Sequence, residues 1–440
     1  MIGGIGLKKR YVFAAALILA AVVAVCAVIL LPDVEAPPSA TPPSRYNTVP
    51  IIYITTEDMT AIPDDKQYVP CSVTLENGGE SYFVTDLPAS VRVRGNGSLT
   101  VGKKHGKMPY KLKFDKKLNL FGAGSGEAKD WVLLANMSDY TMLRNFAAKR
   151  LGERLSGIPY SPASVPVSLY VNNEYAGVYE LTEQVETGKH RVPVDDTLSG
   201  EENGFLVELD HYAQNADPKD VTFRLGENHY TVKSRVANDA QLDHIISCIS
   251  EVEKAIYSGD RNRISSLVDM DSLIDTYLLQ EFAKNTDAGF SSFYMYMEAG
   301  GKLVFAPPWD FDLAFGNDRR LDDGSPEGIY VGTGRKGFVQ NHRWYISLYK
   351  RPWFKAEVSK RWREISDTEI VSLISEVEAM AEVLSPDMET NFSRWIREDG
   401  EFYQLEPDHI VALSSYGEYV GQLTDWMRAR KDFLDREFSK

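Results

Sequence analysis

The period of the apolar residues changes once along this chain, near residue 236, and that change sets the fold class. Before it, VPIIYITT, YVPCSVTLEN, ASVRVRGNGS, PYKLKFD, WVLLAN, PVSLYVN and AGVYELTE alternate apolar and polar residues between turn signals, as strands with one buried face do. After it, DAQLDHIISCISEVEKAIYSG, DSLIDTYLLQEFAKNT, PWFKAEVSKRWREI, DTEIVSLISEVEAMAEVLS and VGQLTDWMRARKDFLDREF carry apolar residues at helical spacing. One helix interrupts the strand-rich part, in DYTMLRNFAAKRLGERLSG, with Asp139 as its cap and Gly157 as its stop. Strands followed by helices predict an α+β protein with a β-rich N-terminal lobe over 47–235 and a mostly helical C-terminal lobe over 236–440. A cleft between two lobes is the natural place for a site. The chain's 440 residues, 43% of them hydrophobic, are enough to build both cores.

The first 46 residues read differently. Lys8, Lys9 and Arg10 precede an uncharged apolar run from Tyr11 to Leu31, which as a helix at ~1.5 Å per residue spans about 30 Å of hydrocarbon. The expectation is a short cytoplasmic basic tail (1–10), one transmembrane helix (11–31) and an extended Pro/Ser-rich stalk (32–46), which makes this a single-pass, membrane-anchored protein with its body extracytoplasmic. A cleaved signal peptide fits less well, because the apolar region is too long and no A-x-A site follows. A formal net charge of −15 argues against nucleic acid as a partner. Cys26, Cys71 and Cys248 are too far apart for a disulfide framework or a zinc site.

Chemistry concentrates between Asp271 and Asn317. In PPWDFDLAFGN, Asp310 and Asp312 stand among Trp309, Phe311, Leu313 and Phe315, where a carboxylate is costly unless something pairs with it. The pattern SSFYMYME, GG, KLVFAPPWDFD predicts a hairpin over 284–317 that brings Asp287 at one end and Asp310 at the other to one pocket. Carboxylates brought together repel unless they share a proton or a cation. Three chemistries account for them: a metal site for phosphoryl transfer, an acid/base pair for glycoside hydrolysis, or a structural calcium site. A second cluster is basic and runs through Arg92, Arg94, Gly95, Asn96 and Ser98 to KKHGKMPYKLK, including Lys107 and Lys111. It reads either as a lysine-protected edge or as cations over a polyphosphate, with the RGNGS turn lending backbone N–H groups. GSLTVGKK has Lys104 where a P-loop needs Ser or Thr, and GTGRKG lies in a late loop, so neither marks a nucleotide site. With no GxSxG or HExxH and no grouping of histidines, a nucleophile-and-histidine hydrolase is disfavoured.

In order along the chain, RGNGS, KMPYKLKF, NMSDYTMLRN, VNNEYAGVYELTE, EFAKNTDAGFSSFYMY and PPWDFDLAFGN resemble the spore coat protein H (CotH) kinase family, over roughly residues 50–365. The resemblance implies a two-lobed, atypical protein-kinase-like fold. It also implies transfer of the ATP γ-phosphoryl group, with Mg²⁺ or Mn²⁺, to Ser or Thr of a spore-coat, envelope or other extracytoplasmic protein. Carried over by motif, Asp287 becomes the catalytic carboxylate and Asp310 the metal ligand, with Asp312 placed to take a second metal. Arg94, Asn96, Ser98, Lys107 and Lys111 become the phosphate-side candidates, and Glu183 in YELTE a partner for one of these cations. Ser292 stands where the kinase pattern puts its second metal-ligating Asn, and Ser is a weaker neutral ligand. That departure leaves a second reading, a catalytically inactive kinase-like scaffold that binds nucleotide or protein at the cell envelope or spore surface.

Overall fold

A computed structural model of the chain describes residues 49–76, 84–120, 126–197, 200, 203–215, 219–395 and 405–439. The basic tail, membrane helix and stalk expected over 1–46 lie outside these residues. Among the described residues, no helix is long and apolar enough to cross a membrane.

The alternating segments form a closed barrel. Its strands are β1 (Ile51–Thr56), β2 (Val69–Glu76), β3 (Val84–Val93), β4 (Tyr110–Leu118), β5 (Ala128–Leu134), β6 (Ser164–Val171) and β7 (Glu174–Glu183). The order is β1-β2-β3-β4-β5-β7-β6, closed by a parallel pairing of β1 with β6. Closure leaves no free strand edge in this sheet. One face of each strand fills the interior: Ile52 and Ile54, Val73 and Leu75, Leu112 and Phe114, Trp131 and Leu133, Val167 and Leu169, Tyr179 and Leu181 form one core. The two-residue turn Asn172–Asn173 joins β6 to β7 with φ of 52° and 66°, the left-handed conformation that asparagine tolerates and a tight hairpin requires.

Two helices are inserted in the barrel sequence, α1 (Gly97–His105) after β3 and α2 (Arg144–Arg154) after β5. The helix expected to be capped by Asp139 starts later. The Asp139 carboxylate instead closes a tight turn, accepting from the backbone N–H of Thr141 and of Arg144 and pairing with the Arg144 guanidinium at 2.5 Å.

The remaining strands make a separate antiparallel sheet of β8 (Phe205–Leu209), β9 (Val221–Leu225), β10 (Asn228–Val232) and β11 (Phe293–Met297), in the order β11-β8-β10-β9. Strand β11 therefore pairs with β8. The hairpin expected from 284–317 is reduced to a single bridge, Tyr296 with Val304. The remaining helices are α3 (Asp239–Ser258), α4 (Arg261–Leu267), α5 (Met270–Phe282), α6 (Arg343–Tyr349), α7 (Pro352–Ile365), α8 (Val371–Trp395), α9 (Asp408–Val411) and α10 (Tyr416–Phe438). Side-chain caps mark several starts: Asn238 for α3, Asp260 for α4, Asp269 for α5, and Ser415 with Glu418 as a capping box for α10. Every residue of α5 from Ser272 to Phe282 is buried, so this helix is the axis of the second core. The whole is a mixed α+β protein with one core inside the barrel and another among the helices.

Candidate active site

The Asp310 segment is pinned by its neighbours. Trp309 and Phe311 are buried, the Phe311 N–H donates to Asn145 Oδ1 at 2.7 Å, and Asn317 Nδ2 donates to the Asp312 carbonyl at 2.7 Å. Asp310, between two anchored aromatics, takes φ 68° and turns its side chain outward. The apolar setting of PPWDFD thus holds a carboxylate into open space rather than burying it. Asn136 (φ 44°) and Ser292 (φ 61°) line the same cavity in the same left-handed region. Such residues cost on the order of 1–3 kcal/mol each and collect where a site dictates the backbone.

The cavity has a volume of about 280 Å³. Its lining includes Arg94, Gly95, Asn96 and Ser98, from the end of β3 into the first turn of α1. Backbone N–H groups of a helix's first turn have no intrahelical acceptor and favour anions. Gly95 takes φ 87°, which lets the chain turn from strand into helix. Asp287, Ser292, Asp310 and Asp312 line the same cavity, β8 contributes Glu208 and Asp210, and Asp310 is among the charges that act on Arg94. Five carboxylates against the cations Arg94 and Lys233 leave the cavity with excess negative charge.

That excess is visible in the acids. Burial, then Asp318 and Asp310, push the Asp287 carboxyl up to about 6 against the opposing pull of Arg320. Burial and the neighbouring Asp310 hold Asp312 well above the ordinary carboxylate range. A cation in the cavity relieves such repulsion. The donors suit a hard one, since carboxylate and hydroxyl oxygens are the ligands of magnesium and manganese. Among the described residues no group of three or more His, Cys, Asp or Glu is arranged to hold a metal unaided. An ion at Asp310 would complete its shell with water and the oxygens of an anionic ligand, the usual habit of Mg²⁺.

Of the residues singled out in the sequence, Arg94, Asn96, Ser98, Asp287, Ser292, Asp310 and Asp312 line this one cavity. Lys107, Lys111 and Glu183 do not. Lys107 is only 2% exposed and donates to the carbonyls of Ala135 and Val178 at 2.9 and 2.7 Å, its ammonium pushed down to about 7 by burial. Lys111 pairs with Asp130 across β4 and β5 at 2.8 Å. Glu183 pairs with a cation, but that cation is Arg191, at 2.5 Å. Cys71 and Cys248 both remain thiols.

Several participants carry no local sequence signal. Lys149 of α2 forms a buried pair with Glu180 of β7 at 2.8 Å and lies over the Trp309 ring at 4.8 Å, where Arg94 also approaches at 5.9 Å. Glu180 also accepts from Asn136, and Asn136 from Asn145, so one network runs from the barrel to the Asp310 segment. On β8, Glu208 pairs with Lys233 at 2.7 Å and accepts the Ser292 N–H at 3.0 Å, while the Ser292 hydroxyl donates to Asp310 Oδ2 at 3.0 Å.

A family model described as CotH kinase protein matches residues 91–434. No curated protein matches the chain.

Proposed function

Since the chain belongs to the CotH kinase family, we propose that it is an atypical protein serine/threonine kinase whose barrel and helical parts act as the two lobes of a kinase-like fold. Its reaction is transfer of the γ-phosphoryl group of ATP to a Ser or Thr hydroxyl of an extracytoplasmic, envelope or spore-coat protein. The observation that carries this reading is one cavity lined by Arg94 and the first turn of α1 together with Asp287, Asp310 and Asp312.

In this scheme the triphosphate lies along Arg94 and the amides of Gly97 and Ser98. Asp310 would hold the metal, with Asp312 and the Ser292 hydroxyl as flanking oxygens. Mg²⁺ or Mn²⁺, when bound, supplies charge neutralisation for the phosphate oxygens. The acceptor hydroxyl attacks the γ-phosphorus, an O–P bond forms as the bond to the leaving ADP oxygen breaks, and the hydroxyl proton passes to Asp287. A carboxyl at about 6 is mostly ionised at neutral pH and close enough in basicity to take that proton. Residues 1–46 would tether this activity to a membrane, with the body outside the cytoplasm.

The second reading, a catalytically inactive scaffold, is favoured by Ser292 in place of the second metal-ligating Asn. Purified full-length protein with ATP and Mg²⁺ or Mn²⁺ separates the two. The kinase reading expects label on the protein itself or on an added protein acceptor. It also expects Asp310→Ala to abolish transfer, and Asp287→Asn to lower it by about 10²–10⁴ while nucleotide binding persists. Stabilisation by ATP without transfer under either metal would establish the scaffold instead.

A further inference from the structure

Asp287 is not a solitary carboxylate. Its Oδ1 accepts from Arg320 Nη2 at 3.2 Å, and its Oδ2 takes no hydrogen bond among the described residues. Arg320 is itself held rigidly. Its Nη2 and Nε donate to Asp318 at 2.5 and 2.9 Å, its backbone N–H reaches Asp318 Oδ1 at 2.9 Å, and its carbonyl accepts from Arg335 at 2.5 Å. Asp318 is buried, 2% exposed, so the guanidinium fork is docked against a fixed carboxylate and offers its remaining edge to Asp287.

We propose that Arg320 is a positioning residue for Asp287, occupying one carboxylate oxygen so that the other is presented to the acceptor hydroxyl, with Asp318 setting the angle of the guanidinium. This rests on the phosphoryl-transfer reading and assigns a role to a pair that no motif in the chain marks. An unrestrained carboxylate samples several rotamers, whereas a base must hold one lone pair toward the proton it takes. Arg320 does not line the cavity and is not needed to bind the nucleotide, so its effect falls on the step that uses Asp287.

The charges around Asp287 give this role a measurable signature. Facing it are the guanidinium of Arg320, the acids Asp318, Asp310 and Asp312, and the phenols of Tyr212 and Tyr330. Burial and the anions raise the Asp287 carboxyl, and Arg320 opposes them. A single charge at such range moves a carboxyl by ~1–3 pH units. Removing Arg320 therefore moves Asp287 further up, and removing the Asp318 charge moves it down.

The test is the pH profile of phosphoryl transfer by the full-length protein at saturating ATP and metal. Arg320→Met should shift the acidic limb to higher pH and lower the rate at pH 7 by about tenfold or more, with much of it restored near pH 9. Arg320→Lys should recover part of the neutral-pH rate. Asp318→Asn should shift the limb to lower pH. Thermal stabilisation by ATP and Mn²⁺ should be unchanged in all three. Opposite shifts from the two sites cannot come from general loss of stability. An unmoved limb in Arg320→Met, or a variant faster than wild type, overturns the proposal and in the second case makes Arg320 an inhibitory clamp. A wild type that transfers no phosphate overturns the proposed function itself, and this inference with it.

Discussion

Ser292 shows how much of this site is decided residue by residue. It takes a left-handed φ of 61°, its N–H is held by Glu208 and its hydroxyl is spent on Asp310 Oδ2. The residue that departs from the kinase pattern thus orients the Asp310 carboxylate rather than standing idle. Asparagine tolerates left-handed backbone better than serine, and its amide oxygen reaches further. Ser292→Asn should therefore fold normally and lower the Mg²⁺ concentration that half-saturates nucleotide-dependent thermal stabilisation, by a few-fold. A higher requirement would show that the hydroxyl's bond to Asp310 matters more than an added ligand.

At the scale of elements, the turn from β3 into α1 brings Arg94, Asn96 and Ser98 to the cavity, where the proposed reading puts the phosphates. A Cβ added to Gly95 would lie 2.2 Å from Ser98 Oγ, and φ of 87° disfavours any L side chain. Gly95→Ala should cost about 1 kcal/mol or more, read in denaturant unfolding, and weaken ATP binding disproportionately compared with an exposed Thr100→Ala control. Helix α1 was hidden in the sequence because GSLTVGKKH mixes glycine with β-branched residues and has little helical propensity. Packing makes it, with Leu99 and Val101 buried and Gly102 so close to Lys107 and Met108 that no Cβ fits. The strands were legible because their alternation is local. Asp287 and Asp310 were legible because acids in apolar surroundings stand out in a linear chain. Lys107 and Lys111 looked like phosphate ligands only because a sequence does not reveal that one ammonium is sealed under two carbonyls and the other faces Asp130. Lys149, Glu180, Glu208 and Arg320 act through partners 31, 84 or 33 residues away, beyond any local pattern.

Across the whole molecule, the cavity draws on the barrel, on β8 of the second sheet and on the segments around Asp287 and Asp310. Both cores border it, the barrel core through Ala135 and the helical core through Trp309. Links between them are polar and specific: the Lys149–Glu180 pair, the Asn391 side chain accepting from Val178 N–H, and the Trp395 indole donating to the Ala176 carbonyl. On the proposed reading, a phosphate chain bridges Arg94 and a metal ion at Asp310 within this cavity. Crystals of the protein grown with a non-hydrolysable ATP analogue and Mn²⁺ examine that bridge. The expected result is an anomalous manganese peak beside Asp310, with phosphate oxygens between it and Arg94. Manganese or nucleotide ordered elsewhere at saturating concentration, with this cavity holding neither, would contradict it.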